Sequence, residues 1–285
     1  VNTIQVTSGA KVEIINLKIF GGNGPKGVVW NLGTLILDDV IIAGDGSFGT
    51  VFSNDGELDL KTGSSIWKTP PTTGTVSDID NNIYNTVKIG SQWWMSDNLR
   101  TTRYNDGTSI PKVINDLIWQ GLTTPAYCWY NNDSTNHPIY GAMYNFFTGA
   151  DSNSHNVCPV GWHVPTVADW DTLTTFLENN GYGYQGSGVD IAKSMAVTLG
   201  WALSGTPGHV GNNQGDNNLS GFTGTPGGLR NNIGFINRNN LGLWWSSEDG
   251  SAGASNRNLV YNSDEVGESF NAVRWVGLSI RCLKD

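Results

Sequence analysis

Charge is scarce in this chain. Only 14% of its 285 residues are charged, against about 25% in ordinary soluble domains. Basic residues are the scarcest: 16 Lys and Arg face 25 Asp and Glu, a formal net charge of −9. That balance argues against a nucleic-acid partner, because phosphate binding needs a basic face. No apolar run approaches the roughly 18–20 residues that span a bilayer. Cysteine is limited to three residues, which permits one disulfide and one free thiol without establishing an oxidising compartment. Apolar residues make up 38%, below the usual ~45–50%, and the Ala, Glu, Lys and Leu excess of a helical bundle is missing. The chain opens at Val1 without Met or a signal-like segment and reads as a mature or excised piece.

What fills the gap is 37 Gly, 12 Trp and 32 Asn. Few charges together with many aromatics are not a signature of disorder. They predict short strands, tight turns and long ordered loops.

Residues 1–66 repeat with a 23-residue step. Val12, Leu35 and Leu58 keep it, as do Ile14, Leu37 and Leu60. Ala10, Gly33 and Gly56 form a third column, Val6, Val29 and Phe52 a fourth, and Ser8, Asn31 and Asn54 a fifth. Each unit reads as short strands separated by Gly-rich corners. That length returns the chain to the start of the next rung of a right-handed parallel β-helix, whose stacked columns bury a continuous interior. About three rungs are present, as at the end of a longer solenoid. The segment 67–77, with Pro70 and Pro71, reads as a linker.

From Asp78 to Asp285 the pattern changes, and ten of the twelve Trp lie here. Thr166 and Asp169 form a capping-box variant ahead of Trp170, Leu173 and Leu177, and Asn179-Asn180-Gly181 ends that helix. A second helix is expected over 189–197, with Ile191, Ala192 and Met195 inward. Val276, Leu278, Ile280 and Cys282 alternate with small or polar residues and predict a final strand.

Several motifs in order then identify a family. They include Gln92-Trp93-Trp-Met95, Ala126-Tyr-Cys-Trp-Tyr-Asn-Asn-Asp133, Tyr140-Gly-Ala-Met-Tyr-Asn145, Cys158-Pro-Val-Gly-Trp-His-Val-Pro165, Trp244-Trp-Ser-Ser247 and Gly277-Leu-Ser-Ile-Arg-Cys282. Residues 78–285 resemble the Fibrobacter succinogenes major paralogous domain, a module of bacterial surface proteins. More distantly the family is similar to the C-type lectin-like fold of formylglycine-generating enzymes and of retroelement-diversified variable proteins. The resemblance implies an α+β head with two helices, a small twisted sheet and long ligand-facing loops, in an extracellular or cell-surface setting. A disulfide between Cys158 and Cys282 is expected within these motifs, leaving Cys128 as a buried thiol.

No HExxH, GxSxG, Walker or Rossmann pattern occurs, and His163 reads as a packed structural residue. No cofactor is expected. Asn131-Asn132-Asp133 and Gly215-Asp216-Asn217 offer oxygen ligands for Ca²⁺ but read first as Asx turns. The informative stretch is 229–276. Framework islands such as Arg230 and Trp244-Trp245 alternate there with Asn and apolar residues that follow no packing logic, and Lys, Gln and Met are absent. Randomising the adenines of an AAC codon yields such a set, although Glu248, Glu265 and Glu268 need other codons. The expected site is a loop surface binding a protein or glycan ligand. Its aromatic anchors are Phe235, Phe270 and Trp275, and its polar contacts Asn231, Asn237, Asn239, Asp249, Asn262, Asn271 and Arg274. Ile233, Leu241, Leu243, Val260 and Val273 complete it. The alternatives are a structural capping module or an enzyme acting on carbohydrate with paired carboxylates.

Overall fold

The structure is a computed structural model; it describes residues 71–184, 188–249 and 252–285, and within 1–70 the backbone of nine strands. The chain divides into two compact units, Val1–Pro71 and Thr72–Asp285.

In the first unit the strands are β1 (Ile4–Val6), β2 (Lys11–Ile15), β3 (Lys18–Phe20), β4 (Val29–Asn31), β5 (Thr34–Asp38), β6 (Ile41–Ala43), β7 (Phe52–Asn54), β8 (Glu57–Leu60) and β9 (Ser65–Trp67). Every third strand pairs in parallel, giving sheets β1-β4-β7, β2-β5-β8 and β3-β6-β9. Val12 pairs with Leu35 and Leu35 with Leu58; Ile14, Leu37 and Leu60 do the same. These are the 23-residue columns of the sequence. One column is corrected at its first step: Ile4 faces Val29 and Val6 faces Asn31, so Val6 is not the partner of Val29. The slip is two residues, the period of a strand, so the register stays in phase. Ser8, Ala10, Gly33, Gly56 and the Gly-rich corners lie outside the described residues.

The second unit begins earlier than expected. Thr73–Ser77 is not linker but β10, the edge of a five-stranded sheet ordered β10-β11-β12-β21-β15. Thr73, Thr75 and Ser77 alternate with Gly74 and the half-buried Val76, a pattern suited to an exposed edge once Pro70 and Pro71 have passed. The remaining strands are β11 (Ile83–Ile89), β12 (Gln92–Met95), β13 (Tyr127–Cys128), β14 (Met143–Tyr144), β15 (Trp162–His163), β16 (Leu229–Asn231), β17 (Gly234–Ile236), β18 (Leu241–Asp249), β19 (Ala254–Val260), β20 (Gly267–Ala272) and β21 (Leu283–Lys284). β18-β19-β20 form a second antiparallel sheet; β13-β14 and β16-β17 are two-stranded ribbons.

The helices are α1 (Asp116–Gln120), α2 (His137–Tyr140), α3 (Phe146–Gly149), α4 (Val167–Asn179) and α5 (Ala192–Met195). α4 starts with the full Thr166–Asp169 capping box and buries Trp170, Leu173 and Leu177. The helix expected over 189–197 is only the single turn α5, because Ala196 leaves it to bridge Gly224.

Two cores flank β18, and its consecutive tryptophans serve one each. Trp245 enters the first with Tyr84, Met95, Tyr144 and Ile280; Trp244 enters the second with Trp94, Trp170, Phe222 and Leu259. The segment 276–282 lies between them. Its alternation holds, with Leu278, Ile280 and Cys282 in the first core and Arg281 stacked over Phe222 and Trp244 at 4.2 and 5.3 Å. It is nevertheless not the regular strand expected. Gly277, Leu278 and Ser279 make single bridges to three different partners, Arg230, Tyr144 and Trp244, so no continuous ladder forms. Cys282 is bonded to Cys158, with Cα atoms 5.8 Å apart. Cys128 is a buried thiol whose pKa burial pushes up to about 11.

The polar centre of this arrangement is Asn98. Its Oδ1 accepts from Trp244 Nε1 at 2.8 Å and Arg281 Nε at 3.0 Å, and its Nδ2 donates to Tyr140 O at 2.9 Å. Arg281 is fully buried and donates to the carbonyls of Phe222 and Thr223. Replacing Arg281 by Met should cost about 3–5 kcal/mol in denaturant unfolding, because three buried acceptors each lose a charged donor. A loss under about 1 kcal/mol would show that water or repacking satisfies them.

Hydrogen bonding lowers the pKa of Asp106 to about 2, through Thr108 and His155, and also lowers Asp133, through Thr135; two partly buried carboxylates, Asp80 and Asp169, are lowered as well. Burial raises the pKa of Asp80, but hydrogen bonds from Thr102, Arg103 and Thr101 outweigh it, and the net shift is downward. Asp169 is lowered in the same way, burial being outweighed by Thr166 and His163. Their stabilisation is complete above the ordinary carboxylate pKa, about 4, and is lost as pH falls through the lowered folded values. Denaturation midpoints should therefore drop below about pH 4, less steeply in Asp80→Asn. Equal slopes in parent and variant would remove Asp80 from the acid-sensitive set.

Candidate functional site

The 229–276 stretch is organised by a buried arginine that reaches a helix far away in sequence. Arg230, on β16, has no exposed surface. Its guanidinium donates to Asp116 Oδ1 at 2.6 Å, to Val113 O at 2.7 Å and to Ile114 O at 2.8 Å. Its planar face lies 4.4 Å from the Trp119 ring and 5.0 Å from that of Phe235. The flat, multiply donating guanidinium suits this double role of fork and stacking plate. α1 and the β16–β17 hairpin are thus clamped over a small core of Trp119, Ala126, Cys128, Tyr130 and Met143.

Clamping turns Trp119 inward and leaves the other apolar residues of this segment outside. Ile114, Leu117 and Ile118 are 58%, 77% and 60% exposed, and Ile233 at the hairpin turn is 75% exposed. Exposed large aliphatic side chains thus lie on α1, on the residue before its N-cap and on the hairpin turn that Arg230 ties to it, and exposed apolar side chains of this kind are candidates for an interaction site. The sequence reading included Ile233 and missed the other three. The available signal was the apolar run around Trp119, too long for one buried face of a five-residue helix.

The expected site residues fall into three groups. Ile233, Asn237, Asn239, Asp249, Asn262, Phe270, Asn271 and Val273 are exposed. Asn231, Leu241, Val260 and Arg274 are half-buried; Arg274 Nε donates to Asp249 Oδ1 at 2.8 Å. The third group is shared with packing. Phe235 and Trp275 lie against the Trp119 core, with Phe235 5.3 Å from the Tyr130 ring, and Leu243 packs on the first core. As aromatic anchors, Phe235 and Trp275 therefore offer an edge, and Phe270 is the more exposed ring.

Several asparagines serve the backbone. Asn231 Oδ1 accepts from Ile233 N at 3.0 Å, closing the hairpin turn. Asn237 and Asn239 adopt left-handed φ of 60° and 72°. The two candidate calcium loops are occupied similarly. Asp133 Oδ1 caps Thr135, and Asn217 Oδ1 accepts from Lys193 Nζ at 2.8 Å. Among the described residues no group of three or more His, Cys, Asp and Glu is placed to hold a metal. His163 lies between Asp285, at 2.6 Å, and Asp169, at 3.3 Å. Among the described residues, two surface cavities are lined by one carboxylate each, Asp97 and Asp151.

The second unit is thus an α+β module of small sheets and short helices, carrying an apolar face on a clamped hairpin. The Fibrobacter succinogenes major domain family matches residues 87–284, and the chain belongs to that family. Comparison with curated proteins and with solved structures gave no match.

The clamp makes a local prediction. In Arg230→Met, amide exchange over 113–119 and 229–236 should rise together, while α4 keeps its protection. Unchanged exchange in both segments would mean that Trp119 packing alone holds α1.

Proposed function

We propose that this chain joins a parallel β-helical segment to a C-type lectin-like head that binds a protein ligand at a bacterial cell surface. The observation that carries this reading is the Arg230-clamped aliphatic face: Ile114, Leu117, Ile118 and Ile233. Rigid support beneath exposed apolar groups limits the entropy lost on binding. Within 229–276 the same reading includes the exposed Phe270 and Val273 and the Asp249–Arg274 pair, a mix of apolar and charged groups of the kind found at interface rims. The low charge fits short-range complementarity over electrostatic steering. Among the described residues no helix is long and apolar enough to cross a membrane. Retroelement-driven variation of 229–276 belongs to the same reading, and its check is genomic: a neighbouring reverse transcriptase gene and a near-copy of this coding segment differing at adenines.

The binding test is a display of extracellular protein domains and glycans probed with the chain. Leu117→Asp combined with Ile233→Asp should lower binding to any captured protein by about tenfold or more, with an unchanged melting temperature. Full retention of binding would overturn this face as the site.

A further inference from the structure

A second concavity lies apart from that face. It encloses about 580 Å³, and none of the residues lining it belongs to 229–276 or to α1. β10 and β11 contribute Thr75 and Asn85, the chain after β12 contributes Ser96 and Asp97, and the loop after α5 contributes Asn218 and Thr223. Val87 is the one apolar side chain and Asp97 the one charge in its lining.

That chemistry narrows the ligand. Binding pockets are ordinarily mostly apolar, and this one divides about evenly between polar and apolar surface. No cation lines it to hold an anionic group, and Val87 is its one aliphatic side chain, with no aromatic ring. Hydroxyls and amides present donors and acceptors side by side, as a polyhydroxyl ligand does. Asp97 is prepared for such a partner. Its Oδ2 accepts from the Asn85 amide at 2.7 Å and from Asn85 Nδ2 at 3.0 Å, while Oδ1 has no partner among the described residues. Two donors temper the charge on one oxygen and leave the other to accept.

The opposite wall is held in a costly backbone conformation. Asn218 and Thr223 have φ of 70° and 58°, and a β-branched residue in the left-handed region is a strained outlier. Each secures the other: Thr223 N donates to Asn218 Oδ1 at 2.7 Å, and Asn218 Nδ2 donates to Thr223 Oγ1 at 3.0 Å. Behind them Arg281 grips the carbonyls of Phe222 and Thr223. Glycine would hold this backbone without strain; threonine adds a hydroxyl at the cleft, which donates to Gly221 O at 3.1 Å within the loop and keeps an acceptor lone pair. We propose that the cleft binds a neutral saccharide of one or two sugar units, Asp97 Oδ1 accepting from ring hydroxyls and Asn85, Asn218 and Thr223 completing the hydrogen bonding.

The test is an amide-resolved NMR titration of the chain with maltose, lactose, cellobiose and mannobiose, with spermidine and inorganic phosphate as cationic and anionic comparisons. At least one neutral sugar should shift Asn85, Asp97, Gly221 and Thr223 in a saturable way, with a dissociation constant on the order of a millimolar. Asp97→Ala should weaken it about tenfold. Thr223→Gly, which suits the left-handed backbone and so keeps the fold, should weaken it several-fold, while Leu117→Asp and Ile233→Asp leave it unchanged. The proposal is overturned if none of the sugars moves these amides, if spermidine or phosphate saturates them in place of sugar, or if Asp97→Ala binds as the parent does. Because the other face is mutated separately, its failure as a protein site would leave this result standing.

Discussion

Everything in the second unit depends on how a chain with little regular structure satisfies its buried polar groups, and Asn98 is where that problem is concentrated. One side-chain amide links Tyr140, Thr225, Trp244, Ser279 and Arg281, residues drawn from four separate stretches of sequence. A buried amide network is worth having only when it is complete, since each orphaned member costs the full desolvation of its group. Here completeness fixes geometry. Trp244 points into the second core because its Nε1 must reach Asn98, and Trp245 consequently enters the first. The two cores owe their separation to that alternation.

Arginine plays the same part twice. Arg281 and Arg230 are both fully buried, both stack on aromatic rings, and both donate to loop carbonyls. Helices and strands satisfy their own carbonyls, whereas loops do not. A guanidinium, with five donors in one plane, can replace a missing ladder. Arg281 does so without contacting a carboxylate among the described residues, which makes it the more exposed to loss of any one acceptor. Arg230 has Asp116 as a counter-charge, and its clamp positions α1.

Legibility in the sequence followed the range of the forces involved. α4 was readable because a capping box and an i, i+3, i+7 stripe are local. The 23-residue register was readable because repetition carries its own alignment. The run 276–282 was read correctly for its faces and wrongly for its state, because alternation cannot reveal that the second face, with Arg281, is also buried. β10 was lost to the prolines beside it. The exposed aliphatic face was half visible: Ile233 lies within 229–276, but Ile114, Leu117 and Ile118 join it only through Arg230, more than 110 positions away. The cleft was not visible at all, since its walls come from four distant segments.

The asparagines discriminate between two explanations of the 229–276 composition. Of the eight non-glycine residues with left-handed φ among the described residues, seven are Asn, so part of the Asn content meets a backbone requirement. Asn237 and Asn239 are among them. A randomised AAC codon would often place Val, Ile or Phe there, and a β-branched residue in that region costs roughly 1–2 kcal/mol. Asn231, which closes its own turn, is similarly constrained. Free variation would therefore be sustainable at Ile233, Phe270 and Val273, where the side chain is exposed and the φ angle is not left-handed. If the segment is variable, its tolerated positions should cluster on the apolar face and spare the turn asparagines. Composition alone cannot separate variability from turn chemistry, but backbone conformation does.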